Sequence, residues 1–375
     1  MFYLFELGHQ PNISTAELEA VFSKIGIEKI SQIKKGSFLI IETKNKINPS
    51  ELIKILGGTV KIAEQISNTG DLTQNLADFI EKKQPQGKIR FSISEKNAKK
   101  IALDTKKILK SRDRSVRYIE ANNTATVLHN KLVDRQSDFT ILENNIFVTK
   151  AIHTFEDFSK RDYGRPGSDD KSGMLPPKLA RILTNLSRAD KNNSLLDPFC
   201  GSGTILMEAA ALGYTNLFGA DKSDKAIKDT KTNLEWIKKE FNLKNFKHQL
   251  IVSDITNLPN QIKKESIKYI ITEPYLGKPL TGRETKDELQ LQADELKDLY
   301  ISSFKAFGKI LEKKGVVIFI IPRFRYKDDW VKINCLNNIK KLGFSLLAFS
   351  EKEESLLYWR TKQHLGREIW KFVKK

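Results

Sequence analysis

The sequence predicts an α/β protein in which small α/β modules precede a larger C-terminal domain built on a parallel sheet. The chain has 375 residues, too many for one core at roughly 100–200 residues per domain, so we expect two or three domains. Strand-like and helix-like segments alternate along its length. From residue 194 the alternation becomes a regular strand and helix repeat, which is typical of a parallel sheet covered by helices on both faces.

Composition limits the class of protein. Hydrophobic residues make up 39% of the chain and charged residues 29%, as in folded proteins with buried cores, and no run approaches the roughly 18 apolar residues of a membrane span. The cysteines Cys200 and Cys335 lie far apart, which argues against disulfides and a zinc site. The opening segment MFYLFELGHQ lacks a basic start and a cleavage site. We therefore expect a cytoplasmic protein without a metal, and we favour a monomer.

The charge is unevenly distributed. The net charge is +18, and residues 81–135 hold 15 basic and 6 acidic side chains, half of that excess. A concentrated positive charge favours a polyanionic partner such as a nucleic acid.

The first 66 residues carry a β-α-β-β-α-β pattern, which predicts a ferredoxin-like domain over residues 1–66. Its predicted elements are Phe2–Leu7, Ser14–Lys24, Ile27–Ile33, Phe38–Thr43, Pro49–Leu56 and Val60–Ile66.

A second small α/β unit is expected to follow a polar, turn-rich linker at residues 67–87. Its predicted elements are a strand Lys88–Ser94, a basic helix Asn97–Ser111, and strands Val116–Glu120, Phe139–Leu142 and Ile146–Ile152. The helix is expected to bury Ile101, Thr105, Ile108 and Leu109, with its lysines on other faces. A merely solvated helix face is the alternative to a nucleic-acid surface.

Five strands are predicted in the C-terminal domain, at Leu195–Asp197, Leu217–Asp221, Leu250–Val252, Tyr269–Thr272 and Val316–Ile321. The last two apolar runs, Phe344–Phe349 and Leu356–Trp359, are predicted to form an antiparallel hairpin at the sheet edge. Such an ending is unusual for a dinucleotide-binding fold and normal for a Rossmann-like class I methyltransferase domain.

The loop after the first of these strands, Asp197–Thr204, is the strongest motif for a ligand. Gly201 and Gly203 let the backbone turn sharply and approach a ligand closely. Asp221 ends the next strand, where a carboxylate can accept both hydroxyls of a ribose. Leu206 stands where a dinucleotide fingerprint has its third glycine, so a pyrophosphate is not required. An adenosine with a cationic sulfonium suits an acidic pocket better, which predicts S-adenosylmethionine.

Asp254 follows the third strand and is placed to accept from the adenine amino group, while Ile255 is placed to cover the ring. A helix cap is the alternative for Asp254. Asp197, Asp221 and Asp254 end successive predicted strands, so all three are expected at the carboxyl edge of the sheet, where open α/β folds bind ligands.

The stretch Thr272-Glu273-Pro274-Tyr275-Leu276-Gly277 follows the fourth strand. The exocyclic amine of a base is a poor nucleophile, so a site that methylates it needs an acceptor for the amine hydrogens and an aromatic face for the base. Glu273 and the Pro274 carbonyl are the predicted acceptors, and Tyr275 is the predicted stacking partner. A simple turn that leaves the strand is the alternative.

At this point the chain resembles the THUMP-containing tRNA guanine-N2-methyltransferases. The matching stretches are Arg161–Pro166, Gly173–Ala180, Leu196–Thr204 and Gly366–Ile369. The resemblance implies a THUMP module over residues 67–153 that engages tRNA, a connecting segment over 154–193 that packs on the catalytic domain, and a methyltransferase domain over 194–375. It implies methyl transfer to N2 of a guanosine in tRNA, near position ten.

The resemblance also implies roles for individual residues. Asp197, Phe199, Gly201 and Gly203 would line the methionine end of S-adenosylmethionine, Asp221 its ribose and Asp254 its adenine. Met174 and Lys178 would pack the preceding segment against the same pocket. The candidate RNA-binding residues are Lys99, Lys107, Lys110, Arg112, Arg114, Arg117, Lys131 and Arg135.

The family usually reads Thr-Asp-Pro-Pro-Tyr-Gly in the catalytic loop, and this chain departs from it. An alignment on Thr272 and Gly277 puts Glu273 at the Asp position and Leu276 at the aromatic position. An alignment on the tyrosine instead puts Thr272 at the acidic position. We prefer the first, because it keeps a carboxylate without a gap. The rival hypotheses are methylation of ribosomal RNA or of another base amine, and a catalytically weakened THUMP-type RNA-binding protein.

Overall fold

The computed structural model describes residues 1–94, 98–167 and 174–375, which form two compact units. The first unit comprises residues 1–11 and 22–154, and the second comprises residues 12–21 and 155–375.

The N-terminal elements reproduce the predicted β-α-β-β-α-β order and continue beyond it. They are β1 (Phe2–Leu7), α1 (Pro11–Ile25), β2 (Lys29–Lys35), β3 (Phe38–Thr43), α2 (Pro49–Ile55), β4 (Thr59–Ser67), α3 (Leu72–Lys83), β5 (Ile89–Ser94), α4 (Ala98–Ser111), β6 (Val116–Tyr118), α5 (Thr124–His129), β7 (Asp138–Leu142) and β8 (Asn145–Ile152). Among the described residues the strands form one sheet in the order β2-β3-β1-β4-β8-β7-β5-β6. The two predicted N-terminal modules therefore share a sheet, because β4 pairs antiparallel with β8.

The predicted linker at residues 67–87 is wrong, because most of it is helix α3. Asp71 caps this helix by accepting hydrogen bonds from the backbone N–H groups of Thr73 and Gln74. Leu76, Ala77 and Ile80 are buried in a core cluster together with residues of α4 and β5. The polar composition of the segment concealed an apolar stripe with helical spacing.

Helix α4 lies where the basic helix was predicted, and Asn97 is outside the described residues. Ala102, Thr105 and Leu109 are buried, while Ile101 and Ile108 are half-buried against the same core cluster. The helix is thus amphipathic, with its lysines away from the core.

The second unit is a strand and helix repeat. Its elements are α6 (Phe155–Tyr163), α7 (Pro177–Leu186), β9 (Ser194–Asp197), α8 (Thr204–Ala211), β10 (Asn216–Asp221), α9 (Asp224–Glu240), β11 (Lys247–Val252), a short 3-10 turn (Leu258–Asn260), β12 (Ile267–Thr272), α10 (Lys286–Ile310), β13 (Leu311–Tyr326), β14 (Asp329–Lys332), α11 (Leu336–Lys341), β15 (Phe344–Leu346), β16 (Ser355–Tyr358) and β17 (Leu365–Lys374). Within the described part of the chain the main sheet runs β11-β10-β9-β12-β13-β17-β15. The first five strands are parallel and β17 is antiparallel, which confirms the predicted Rossmann-like methyltransferase sheet.

The predicted terminal hairpin is wrong in its pairing. β15 and β16 do not pair with each other; each pairs antiparallel with β17, whose other edge pairs with β13. Charged residues interrupt the apolar residues of β17, so the sequence pattern did not predict a strand there. Its buried side chains Ile369 and Phe372 nevertheless place it inside the sheet.

An aromatic cluster fixes the strands that carry the site. The ring of Phe304, on α10, lies edge-on to Phe319 of β13, Phe344 of β15 and Phe372 of β17, with ring centroids 4.9–5.2 Å apart. This packing holds β13 and β17 in place beside β12. In the residues described, the helices include none long and apolar enough to span a membrane.

Candidate active site

Four acidic residues lie at the carboxyl edge of the second sheet, as the sequence predicts. Asp197 and Asp221 are the last residues of β9 and β10, and Asp254 and Glu273 follow β11 and β12 within two residues. These four strands are neighbours and parallel. The edge is therefore acidic, and it lies where open α/β folds bind their ligands.

Asp221 links the glycine loop to the start of α9 by two backbone contacts. Its Oδ2 accepts from the N–H of Gly201 at 3.1 Å, and its Oδ1 accepts from the N–H of Ser223 at 2.9 Å. Each carboxylate oxygen can accept more than one hydrogen bond. The side chain is half-buried, so it can hold the loop and still accept from a ribose hydroxyl.

The two loop glycines meet different surroundings. Both have positive φ, +52° at Gly201 and +84° at Gly203. A Cβ at Gly203 would lie 2.9 Å from Cγ2 of Thr230, whereas one at Gly201 would meet nothing within 4 Å. Gly203 thus lets α9 approach the loop, and Gly201 faces open space where a ligand can lie.

Alanine at Gly203 is expected to destabilise the ligand-free protein by about 1–3 kcal/mol, because it combines backbone strain with a clash. Alanine at Gly201 adds only the strain, so its effect on stability should be smaller. Thermal unfolding of the two variants checks this order. An equal or reversed order would contradict the role given to Thr230.

Asp197 is buried beneath the loop. Its Oδ1 accepts from the Thr272 hydroxyl at 2.6 Å and from the N–H of Phe199 at 3.2 Å. Burial raises the pKa of this carboxyl from 3.8 to about 7, although the Thr272 hydrogen bond opposes the shift. Thr272 is itself buried, and its hydroxyl is bound to Asp197. This favours the alignment that puts Glu273 at the acidic position.

The raised pKa of Asp197 predicts a pH dependence of stability. Between its ordinary pKa of 3.8 and about 7 the folded chain keeps a proton that the unfolded chain releases. The contribution to stability is therefore full below the lower value and is lost as pH rises, by up to about 1.4 kcal/mol for each pH unit. Asp197→Asn removes this loss, so the stability gap between variant and wild type should widen from pH 5 to pH 8. A gap that stays constant in urea denaturation would contradict the prediction.

Asp254 and Ile255 are placed differently from each other. The Oδ1 of Asp254 accepts from the backbone N–H of Thr256 at 2.9 Å and from its hydroxyl at 2.7 Å, and these bonds lower the pKa of Asp254. This turn contact is the capping alternative, and it leaves the carboxylate exposed at the edge. Ile255 is only 5% exposed and belongs to the main core cluster, with Phe199 half-buried against it.

Glu273 forms an ion pair that the sequence did not predict. Its Oε1 accepts from Nε of Arg367 at 2.6 Å, and the two side chains are 12% and 15% exposed. Burial raises the pKa of Glu273, and Arg367 partly offsets that rise. Arg367 lies on β17 within the Gly366–Ile369 stretch, so the family resemblance was the signal that could have found it.

The rest of the catalytic loop is held by α10. The backbone carbonyl of Tyr275 accepts from the hydroxyl of Tyr300 at 2.8 Å, and the backbone N–H of Lys278 donates to Gln292 at 3.0 Å. Pro274 is buried, whereas the Tyr275 side chain is 56% exposed. A fixed backbone therefore presents an exposed aromatic ring next to Glu273.

Residues before β9 also reach the glycine loop. The guanidinium of Arg165 donates to the Thr204 hydroxyl at 2.6 Å and contacts the sulfur of Met174, and the Asn233 amide links Gly167 to Ser202. Met174 thus lies beside the loop as the resemblance implies, and Gly173 is outside the described residues. Lys178 instead lies over the Phe155 and Phe158 rings. No motif pointed to Asn233.

The candidate RNA-binding residues divide into two groups. Lys99, Lys107, Lys110, Arg117 and Lys131 are exposed. Arg112 and Arg114 instead pair with Glu81 of α3, at 2.8 and 3.4 Å, and Arg112 also pairs with Asp78. Arg135 is half-buried. Arg112 and Arg114 therefore stabilise the contact of α3 with the end of α4, which the sequence did not indicate.

A search for metal-binding groups of three or more His, Cys, Asp or Glu side chains finds none within residues 1–94, 98–167 and 174–375.

Methyltransferases are among the proteins that this chain resembles in sequence. Residues 167–326 match the family described as RMKL-like, methyltransferase domain. A probable tRNA (guanine(10)-N2)-dimethyltransferase from Methanothermococcus thermolithotrophicus is 30% identical over 149 residues, which are 39% of this chain and 80% of that protein. The tRNA (guanine(10)-N2)-dimethyltransferase of Methanothermobacter thermautotrophicus is 28% identical over 282 residues, 71% of this chain and 75% of its own length.

The fold has also been observed in solved structures. The sequence alignments with the curated relatives cover different shares of those proteins. The crystal structure of TrmN from Thermus thermophilus superimposes with a TM-score of 0.55 at 14% identity, with all of both chains covered. The alignments with the curated tRNA dimethyltransferases span between 37% and 80% of their own lengths. The methyltransferase sheet, the match over residues 167–326 and the 30% identity over 80% of the Methanothermococcus protein together show that this chain belongs to the tRNA (guanine(10)-N2)-dimethyltransferase family.

Proposed function

We propose that this protein transfers a methyl group from S-adenosylmethionine to the exocyclic N2 amine of a guanosine in tRNA. The names of its relatives indicate guanosine 10. The observation that carries the proposal is the Glu273 carboxylate, which Arg367 holds at the carboxyl edge of the sheet, two residues before the exposed Tyr275.

The edge fits the methyl donor. Open space at Gly201 lets a ligand approach the loop backbone, and the half-buried Asp221 carboxylate lies beside it as an acceptor for ribose hydroxyls. Asp254 remains exposed for the adenine amino group, and Asp197 supports the loop from beneath, on the side proposed for the methionine end. When bound, S-adenosylmethionine supplies a methyl group on a cationic sulfonium, and in-line attack of an amine nitrogen on the methyl carbon breaks the carbon–sulfur bond and releases a neutral thioether.

Glu273 prepares the amine for that displacement. As a carboxylate it accepts a hydrogen bond from the N2 amine, which turns the nitrogen lone pair out of conjugation with the ring. The nitrogen gains the methyl carbon and must then lose a proton, and the raised pKa of Glu273 makes it a better proton acceptor than an exposed glutamate. The Arg367 guanidinium opposes that rise in pKa and so favours the ionised carboxylate.

Tyr275 holds the base. A guanine inside a duplex cannot reach a buried carboxylate, so the base must leave its stack and be held by a new surface. The exposed Tyr275 ring offers that face, and the Tyr300 hydroxyl fixes the backbone that carries it.

A labelled incubation tests the proposed reaction. Unmodified tRNA transcript is incubated with the protein and methyl-labelled S-adenosylmethionine, and the nucleosides are then separated and mapped. We expect N2-methylguanosine or N2,N2-dimethylguanosine at one position, and a transcript with adenosine at that position should stay unlabelled. Label in ribosomal RNA alone, or in an adenosine or cytidine, would overturn the substrate assignment.

The exposed basic residues of the first unit support a second part of the proposal, that residues 67–153 bind the tRNA. Lys99, Lys107 and Lys110 project from α4, and Arg117 and Lys131 lie beyond it in the chain. Lysine and arginine bind phosphates by charge, with an affinity that falls as salt rises.

Reversal of the charge at Lys99, Lys110 and Arg117 to glutamate is expected to weaken tRNA binding strongly and to make it less dependent on salt, because each residue accounts for about one released counterion. Filter binding at several salt concentrations measures both quantities. The matched control reverses Lys263, Lys264 and Lys313, which are exposed near the amino ends of β12 and β13. An equal loss of affinity in the control would mean that only net charge matters.

A further inference from the structure

Strand β13 extends past the end of its neighbour β12, on the side that carries the candidate active site. Its last pairing with β12 joins Thr272 to Phe319, yet β13 continues to Tyr326, roughly 23 Å farther at the usual rise per residue. This extension pairs with β14 on one side and with β17 on the other. The extension and its two partner strands therefore form a small three-stranded sheet at the edge where the catalytic loop lies.

Two tryptophans and an arginine form a cluster on this three-stranded sheet. The rings of Trp330 and Trp359 meet edge to face, with centroids 5.6 Å apart. The Arg325 guanidinium lies 5.3 Å from the Trp330 ring centre and 5.9 Å from that of Trp359. We name these three residues the tryptophan platform. All three are half-buried, so part of each residue remains accessible.

The backbone beneath Trp330 is shaped to seat its ring. A Cβ at Gly366 would lie 3.1 and 3.2 Å from two atoms of the Trp330 six-membered ring. The Trp359 indole N–H donates to the Gln363 carbonyl at 2.7 Å, which holds the second ring. The arrangement is thus preorganised and does not depend on chance contacts of surface side chains.

The charged residues close to Trp330 and Trp359 in the sequence are mostly basic. The basic neighbours are Lys327, Lys332, Arg360 and Lys362, and the acidic ones are Asp328 and Asp329. Asp328 forms an exposed ion pair with Arg325 at 3.4 Å. Aromatic faces among positive side chains are the arrangement that binds single-stranded nucleic acid, since bases stack on the rings while phosphates meet the cations.

Two residues close to the tryptophan platform, His364 and Arg367, contact the segment between β12 and α10. Arg367, which holds Glu273, follows Gly366 on β17. The ring of His364 packs against Gly282, where an added Cβ would lie within 2.9 Å of three ring atoms. A strand of RNA whose base enters the catalytic loop would therefore place neighbouring nucleotides close to the platform.

We propose that the tryptophan platform binds the unpaired RNA strand next to the methylated nucleotide, by stacking one of its bases on Trp330 or Trp359 and pairing a phosphate with Arg325. This inference rests on the proposed function, because it takes the target base to enter at Glu273. It assigns to the methyltransferase domain an RNA contact separate from the basic residues of the first unit.

Three substitutions test the proposal, Trp330→Leu, Trp359→Leu and Arg325→Gln. Each should weaken binding of a single-stranded oligoribonucleotide of about ten nucleotides by roughly tenfold, as expected for loss of one stacked base or its cation. Each should also raise the KM for tRNA while leaving the affinity for S-adenosylmethionine unchanged. Trp359→Phe should recover most of the affinity, because it keeps an aromatic face.

The matched control is Trp236→Leu. Trp236 is also half-buried and also pairs edge to face with an aromatic ring, that of Phe241, but it lies on α9 away from the platform. This control should leave oligonucleotide binding unchanged, and thermal midpoints of all variants identify any that are misfolded. Arg325→Gln removes no ring from the packing, so it keeps the test decisive if a tryptophan variant unfolds.

The outcomes separate this inference from the proposed function. Wild-type KM and wild-type oligonucleotide affinity in folded platform variants would overturn the inference, even with tRNA methylated normally. Weakened oligonucleotide binding in those variants would support the platform, even if the labelled incubation showed another methylated base.

Discussion

Glutamine at Glu273 is expected to lower the turnover number for tRNA methylation by about 10²- to 10⁴-fold, the usual contribution of a positioned proton acceptor. Glutamine keeps the size of the side chain and can still accept from Arg367, but it cannot take the proton that the methylated amine releases. The affinity for S-adenosylmethionine should stay nearly the same, because the residues proposed to contact the cofactor lie at or after the ends of β9, β10 and β11. Single-turnover kinetics with saturating tRNA measure the effect.

Aspartate at the same position is the matched control for Glu273→Gln. It restores the residue that the family usually has and keeps the charge, but its side chain is one methylene shorter. Measurable activity in Glu273→Asp with none in Glu273→Gln would support the carboxylate. Equal wild-type rates in both variants would refute a catalytic role for Glu273.

Leucine at Arg367 is expected to have the second largest effect, since it leaves the buried Glu273 carboxylate without its partner. Removal of one member of such a pair costs about 3 kcal/mol of stability. The pKa of Glu273, already raised by burial, should rise further. The acid limb of the pH profile, where activity falls as the carboxylate is protonated, should therefore move to higher pH. Raising the pH should restore part of the activity. The pH profile of kcat/KM checks this shift.

The matched control for Arg367→Leu is Arg323→Leu. Arg323 of β13 pairs with Glu368 of β17, the residue next to Arg367 in the chain, so its loss removes another buried ion pair of β17 without touching Glu273. It should lower stability but leave the pH profile in place. A shift of the same size in both variants would mean that general destabilisation causes the change.

The carboxyl edge could be predicted from the sequence because its signal is local. Each of Asp197, Asp221 and Asp254 follows directly on an apolar run, and parallel strands bring such positions to one edge whatever the details of packing. The same local pattern located Glu273 and the glycine loop. What these residues do was then inferred from the chemistry of carboxylates and from the family resemblance.

The elements that escaped prediction depend on distant residues. Helix α3 is polar except for one buried stripe, and only the cluster it shares with α4 and β5 shows why it forms. β17 carries Arg367, Glu368 and Lys371 among its apolar residues, so it reads as a mixed segment until β13 pairs with it. The partner of Glu273 lies 94 residues away in the chain, a separation that no periodicity records.

The position of β17 also determines when the site can exist during synthesis. This strand follows every other described strand, yet it lies inside the sheet between β13 and β15. A ribosome therefore releases the glycine loop, Glu273 and Tyr275 before it releases Arg367, the ion-pair partner of Glu273. Until residues 365–374 emerge, β13 has an unpaired edge and Glu273 lacks this partner. The proposed site is thus complete only after β17 has entered the sheet.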